Sequence, residues 1–174
     1  MMLPPETLEQ AELLLQIMQS RSLTLATAES CTGGLVSAAV TAIAGSSATL
    51  LAGYVTYSNE AKAKSVGVDP ALIARLGAVS GEVAAAMAEG AARESGADMG
   101  ISTTGIAGPG GGTETKPVGL VYIGVALKGR PARVERHVFP GDRTAVRAAT
   151  VATAFRMAVE ELATLPLASG MDRG

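Results

Sequence analysis

Between Leu23 and Ile43 an apolar, strand-like run, Leu23-Thr24-Leu25-Ala26, passes through Thr27-Ala28-Glu29-Ser30-Cys31-Thr32-Gly33-Gly34 into an amphipathic, helix-like run, Leu35 to Ile43. A strand that feeds a helix through so short a turn is the repeating step of an α/β fold. The turn also gathers chemistry. At a helix start, unpaired backbone N–H groups meet the positive end of the helix dipole, so a negative group or a developing oxyanion is stabilised there. Ser30, Cys31 and Thr32 add candidate nucleophiles or donors at the same place. A plainer reading competes, in which Ser30 or Thr32 merely caps the helix.

The rest of the chain continues the pattern. Pro4-Pro5 precede a helical run, Glu6 to Ser20, with Leu8, Ala11, Leu15 and Met18 on one face. Strand one covers about Leu23 to Ala28, helix two Gly33 to Ile43, and strand two Ala48 to Tyr57. Ser58-Asn59 cap a short helix from Glu60 to Val66, Asp69-Pro70 start another from Ala71 to Leu76, and Ser80 caps an Ala-rich helix that stops near Ser95-Gly96. Strand three, Met99 to Thr104, runs into a glycine cluster, Gly105 to Thr113. Val118 to Leu127 and Ala132 to Val138 flank Lys128-Gly129-Arg130-Pro131 and read as an antiparallel hairpin. Phe139-Pro140-Gly141-Asp142 then opens a last helix, Arg143 to Leu165, before a tail from Pro166 to Gly174 expected to be mobile.

This order implies one domain over residues 1–165, a three-layer α/β/α sandwich on a mainly parallel sheet with one strand reversed at the hairpin. In such sheets ligands bind beyond the carboxyl ends of the strands. Ser30 and its neighbours, Tyr57 to Lys62, Thr104 to Gly112 and Phe139 to Arg143 would then share one edge, because the hairpin returns strand five parallel to the first three. That convergence favours a site over a simple helix cap.

Composition narrows the function. With 174 residues, 48% hydrophobic and 17% charged, the chain can bury a substantial core. A net charge of −2 and 3% aromatic residues give no electrostatic footprint and no stacking platform for nucleic acid. No apolar run reaches the length of a membrane span, and Met1 to Glu6 lack the basic start and apolar stretch of a signal peptide, so a cytoplasmic protein is expected. The single cysteine, Cys31, and the single histidine, His137, leave no pair at metal-ligand spacing.

A serine hydroxyl needs a base. His137 falls inside a predicted strand, away from the loop edge, and no Gly-x-Ser-x-Gly elbow exists, so a serine–histidine–aspartate triad is disfavoured. Lys62 is the next base: a lysine held away from water loses its preference for the charged form. A solvated helix lysine is the competing reading. Tyr57 could relay a proton or simply pack, and Cys31 is an alternative nucleophile or a packed residue. The glycine cluster fits neither the triphosphate nor the dinucleotide spacing, leaving a loop whose backbone can approach a ligand. Arg143 and Arg147, one turn apart at the start of the last helix, could hold a phosphate or stay solvated.

Taken together, Ala28-Glu29-Ser30-Cys31-Thr32-Gly33-Gly34, Gly53 to Lys62, Gly77-Ala78-Val79-Ser80, Thr104-Gly105-Ile106-Ala107-Gly108-Pro109, Lys116-Pro117-Val118-Gly119 and Phe139-Pro140-Gly141-Asp142-Arg143 resemble the CinA C-terminal domain family, over about Leu8 to Leu162. Some members of that family are stand-alone nicotinamide-nucleotide amidohydrolases. The resemblance implies hydrolysis of the carboxamide of nicotinamide mononucleotide without cofactor or metal, a five-stranded mixed sheet and a homo-oligomer. It also implies Ser30 as nucleophile, Lys62 as base and Tyr57 as its assistant. Thr32, Gly33, Thr104, Gly105 and Gly108 would line the substrate, with Arg143 on the phosphate side. Two other functions remain open at this point: a non-catalytic nucleotide-binding or competence-associated module, and an amidase for another small amide.

Overall fold

The strand–turn–helix unit forms as β1 (Leu25–Glu29) and α2 (Leu35–Thr41), with β1 buried at every residue. A strand covered on both faces needs helices above and below it, and the chain supplies them. The computed structural model describes residues 3–167, so the expected mobile tail lies, from residue 168 on, outside the described residues. The remaining elements are α1 (Pro5–Ser20), β2 (Leu50–Val55), α3 (Asn59–Val66), α4 (Pro70–Leu76), α5 (Gly81–Ser95), β3 (Met99–Gly105), β4 (Leu120–Leu127), β5 (Arg133–Val138) and α6 (Arg143–Ala163).

The five strands lie in the order β2-β1-β3-β4-β5. β1 pairs parallel with β2 and with β3, while β4 is antiparallel to both β3 and β5. Only β4 is therefore reversed, and β5 runs parallel to the first three strands, as the hairpin requires. Leu14, Met18, Val36 and Phe155 of α1, α2 and α6 join Leu25 and Ile101 in the core on one face. Val66, Ile73, Val83 and Met87 of α3, α4 and α5 join Ala26 and Ala28 on the other. This is the three-layer sandwich. Among the described residues no helix is long and apolar enough to cross a membrane.

Several expected boundaries move by one or two residues, and two of the shifts have a clear cause. β2 begins only at Leu50, because Ser46–Ala48 wind into a 3-10 turn first. β4 begins at Leu120 rather than Val118, because Leu120 N donates to the Pro117 carbonyl at 3.1 Å and closes a turn there. The capping reading holds for three helices: the side chains of Ser58, Asp69 and Ser80 accept from Ala61 N, Ala71 N and Val83 N.

α5 lies unusually close to the sheet because small residues face each other. Ser102 Oγ donates to the Ala84 carbonyl at 2.6 Å, and a Cβ on Gly100 would fall on the Ala88 carbonyl oxygen. Gly100→Ala must push α5 off β3, and with backbone as the obstacle the cost is placed at the upper end of the usual range for overpacking, about 3 kcal/mol. The expected result is a fall in Tm of roughly 6–12 °C. An unchanged Tm would show that the α5–β3 contact yields freely.

The one histidine is accounted for on β5. His137 stacks on Phe139 with ring centroids 4.9 Å apart, and its Nε2 lies 2.8 Å from Glu135 Oε2. Burial pushes the Glu135 carboxyl up, but hydrogen bonds from Arg156, His137 and Arg133 outweigh it and hold the group at about 2. His137 serves this cluster and is not a base for Ser30.

Candidate active site

The pairing of β1 runs past its end. Ser30 N donates to the Thr103 carbonyl of β3 at 2.9 Å, and Thr56 N, just beyond β2, donates to the Glu29 carbonyl at 2.8 Å. Ser30 and Thr56 therefore stand near each other at the carboxyl edge of the sheet. Ser58 caps α3 directly afterwards, so the first turn of that helix brings Lys62 back over the same edge. Lys62 Nζ lies 3.1 Å from Ser30 Oγ, 2.8 Å from the Thr56 carbonyl and 3.4 Å from the Tyr57 carbonyl.

Lys62 is 1% exposed, and all three partners of its Nζ are uncharged oxygens. Burial lowers its pKa from the ordinary 10.5, opposed only by the charge interaction with Cys31. The reading of Lys62 as a solvated helix residue is thus excluded. Cys31 is also buried, and that burial pushes its thiol up to about 11. A thiol so hard to ionise is a packed side chain, not a nucleophile.

The turn itself is held by a residue that the sequence reading did not single out. Glu29, fully buried, accepts at Oε2 from Thr32 Oγ1 (2.6 Å), Gly34 N (3.1 Å) and Val36 N (2.9 Å), and at Oε1 from Ser37 N (2.9 Å). Gly33 and Gly34 adopt φ of +59° and +101°, a left-handed backbone that glycine tolerates best and that folds the chain around the carboxylate. Two expectations are corrected here. Neither Ser30 nor Thr32 caps α2, since Glu29 does so from the strand. The N–H groups at the α2 start are likewise not open to an oxyanion, because Glu29 already occupies them. The signal was available: Glu29 is the only ionisable acid in the turn, next to Ser30 and ahead of a helix start lacking a hydroxyl cap.

The expected substrate contacts divide in two. Thr32 is fully buried, its hydroxyl shared between Glu29 and Thr103 Oγ1 (2.7 Å). Gly33 turns its N–H inward to the Ser30 carbonyl at 3.0 Å. Thr104 is buried too, donating to the Ala78 carbonyl at 2.8 Å, and a Cβ on Gly105 would strike the Leu120 carbonyl oxygen at 2.7 Å. These residues shape the edge from within, the hydroxyls of Thr32 and Thr104 being bonded inside the protein. The N–H groups of Cys31 and Thr32 have no oxygen acceptor among the described residues.

The outer contacts converge on Arg143. Its Nη1 donates to the Gly108 carbonyl at 3.0 Å and its Nη2 to Tyr57 Oη at 3.2 Å. Tyr57 is 61% exposed and its phenol meets Arg143, so this residue touches Lys62 through its backbone carbonyl rather than through its hydroxyl. Arg143 also lines a cavity of about 460 Å³ with Ala107, Pro109, Val118, Asp142 and Thr144. Arg147 sits deeper, where its Nη2 donates to the Thr32 carbonyl at 3.0 Å and its Nε is buried without a partner among the described residues.

The arrangement can activate a hydroxyl with a desolvated amine, while the cavity edged by Arg143 is lined by neither Ser30 nor Lys62. The CinA C-terminal domain model matches residues 7–162. A CinA-like protein of Geobacter sp. (strain M21) is 56% identical over 146 residues, covering 84% of this chain and 35% of that protein. A CinA-like protein of Chlorobaculum tepidum is 54% identical over 136 residues, 76% of this chain and 32% of that one. The chain thus spans about a third of the length of these relatives. Among solved structures, the competence/damage inducible protein CihA of Agrobacterium tumefaciens superposes with a TM-score of 0.90 at 40% identity, over 94% of this chain and 99% of that one. A CinA superfamily protein of Klebsiella pneumoniae gives 0.87 at 36% identity, over 91% and 99%. With the family model matching nearly the whole described chain, the protein belongs to the CinA C-terminal domain family.

Proposed function

We propose that this protein hydrolyses the carboxamide of nicotinamide mononucleotide to nicotinic acid mononucleotide and ammonia through Ser30 and Lys62, as a homo-oligomer. The observation that carries this reading is the buried Lys62 Nζ, 3.1 Å from Ser30 Oγ and surrounded by uncharged oxygens. A neutral amine has two N–H groups and one lone pair. The Thr56 and Tyr57 carbonyls accept the N–H groups, which leaves the lone pair for the Ser30 O–H.

In the reaction, Lys62 takes the Ser30 proton as Oγ bonds to the carboxamide carbon. The Cys31 and Thr32 N–H groups are the donors the turn leaves for the oxyanion. Lys62 passes its proton to the departing nitrogen, the C–N bond breaks, and ammonia leaves an ester on Ser30. Water then attacks the ester carbon with its proton going to Lys62. The carboxylic acid departs as that proton returns to Ser30.

Arg143, exposed and reaching into the cavity rim, is the side chain suited to the substrate phosphate. Losing one charge-assisted contact costs roughly 1.5–3 kcal/mol, about ten- to a hundredfold in affinity. The experiment measures ammonia release from nicotinamide mononucleotide, its riboside and free nicotinamide, in wild type and Arg143→Ala. The expected loss in kcat/KM appears with the mononucleotide and is nearly absent with the riboside. Equal losses on both would mean that Arg143 supports the loops, and no loss on either would move the phosphate to Arg147. The Agrobacterium relative carries a competence/damage name and not an enzyme's, and a non-catalytic nucleotide-binding module is the second reading. That reading requires mononucleotide binding without any ammonia release.

A further inference from the structure

Glu29 is a fully buried carboxylate that the chemistry above does not use. All its partners are backbone N–H groups and one hydroxyl, and they cluster at one bend: Thr32, Gly34, Val36 and Ser37. No cation is among them. A buried carboxylate costs stability unless its oxygens are filled, and here four donors fill them. The bend they define begins at the residue after Glu29, which is Ser30. Its other end is tied as well, since Thr32 Oγ1 bonds both Glu29 and Thr103 Oγ1, and Ser37 Oγ lies 2.6 Å from Thr27 Oγ1.

Resting on the serine–lysine reading, we infer that Glu29 is the positioning residue of the nucleophile: its carboxylate fixes the 30–37 bend so that Ser30 Oγ stays within reach of Lys62 Nζ. The same contacts occupy the N–H groups of Gly34, Val36 and Ser37. They leave Cys31 N–H and Thr32 N–H as the donors beside Ser30. Glu29 acts through geometry alone, since it contacts neither Ser30 Oγ nor Lys62 Nζ among the described residues.

The two carboxylate oxygens carry unequal loads, and this suggests the variant. Glu29→Gln keeps the length and one carbonyl oxygen, which can retain the three donors now on Oε2. Its NH2 group then faces Ser37 N–H, donor against donor, and that corner of the bend must open. Thr32→Val tests the same bend close to Ser30 by removing the hydroxyl while keeping the shape.

The experiment follows wild type, Glu29→Gln and Thr32→Val by four measurements. These are labelling of Ser30 by a sulfonyl fluoride per folded molecule, kcat and KM on nicotinamide mononucleotide, the acid limb of kcat/KM, and hydrogen exchange of the Ser37 amide. In Glu29→Gln, labelling and kcat are expected to fall together by about ten- to a hundredfold, as misplaced reacting groups do. KM should change less than about threefold, the acid limb should stay where Lys62 sets it, and Ser37 should lose protection. Thr32→Val should lower labelling in the same direction.

Labelling unchanged from wild type in Glu29→Gln, with Ser37 protection lost, would overturn the inference and leave Glu29 a stability residue. A displaced acid limb would overturn it in favour of an electrostatic effect on Lys62. Labelling needs no amide substrate, so it separates the two ideas. A wild type that labels at Ser30 but releases no ammonia defeats the proposed substrate and leaves this inference standing. A wild type that never labels at Ser30 defeats the serine–lysine pair, and the positioning role with it.

Discussion

Ser30→Ala is expected to remove ammonia release by about three orders of magnitude or more, the scale on which hydrolases lose turnover when their nucleophile is deleted. The fold should survive. Ser30 holds its place through its backbone, with N–H on the Thr103 carbonyl and C=O accepting from Gly33 N, and neither bond involves the hydroxyl. Lys62 Nζ keeps the Thr56 and Tyr57 carbonyls. Neighbouring groups cannot take over. Cys31 is buried with a thiol pushed up to about 11, and the Thr32 hydroxyl is committed to Glu29 and Thr103. The variant should therefore bind the mononucleotide by calorimetry with little change while releasing no ammonia. Near-normal release would pass the nucleophile's role to a water activated by Lys62.

The second large effect is at the base. Lys62→Met keeps the length of the side chain and removes the amine, and kcat should drop by at least about a hundredfold, the usual contribution of a general base. Lys62→Arg should be no better, since a guanidinium does not give up its proton at accessible pH. In wild type, kcat/KM should rise with pH as Lys62 loses its proton, along a limb whose midpoint lies below 10.5. Stability rises with pH over the same range. The folded pKa is depressed, so below 10.5 the unfolded chain binds the proton more readily and charging opposes folding. Lys62→Met removes that cost, and its Tm at neutral pH should equal or exceed that of wild type. An inactive variant with a sharply lower Tm would mean that the ammonium itself holds the loop. Arginine restoring activity would move the base elsewhere.

What the residues disclosed and what they hid follows from the range of the forces involved. The caps at Ser58, Asp69 and Ser80 and the return of β5 were readable because each depends on neighbours a few positions away. Lys62 stood out as a base because it falls just after strand two and was the next candidate once His137 lay away from the loop edge. The role of Glu29 stayed hidden because its partners are backbone amides, which every residue carries and no letter announces. The hydroxyls of Thr32 and Thr104 hid their partners for a related reason, since both are spent inside, on Glu29 and Thr103 and on the Ala78 carbonyl. The Tyr57 phenol was expected beside the dyad, and only the three-dimensional approach of α6 shows that it meets Arg143.

The uncharged company of Lys62 has a consequence for how the reaction would be driven. Once Lys62 has given up its proton, the amine, the Ser30 hydroxyl and the two carbonyls together carry no charge. Charge separates only as the proton moves, when an ammonium on Lys62 and an oxyanion on the substrate arise together in a place nearly closed to water. Their mutual attraction is felt strongly there and exists in neither substrate nor product. A carboxylate beside the amine would have spent that attraction in advance, by holding the lysine permanently charged.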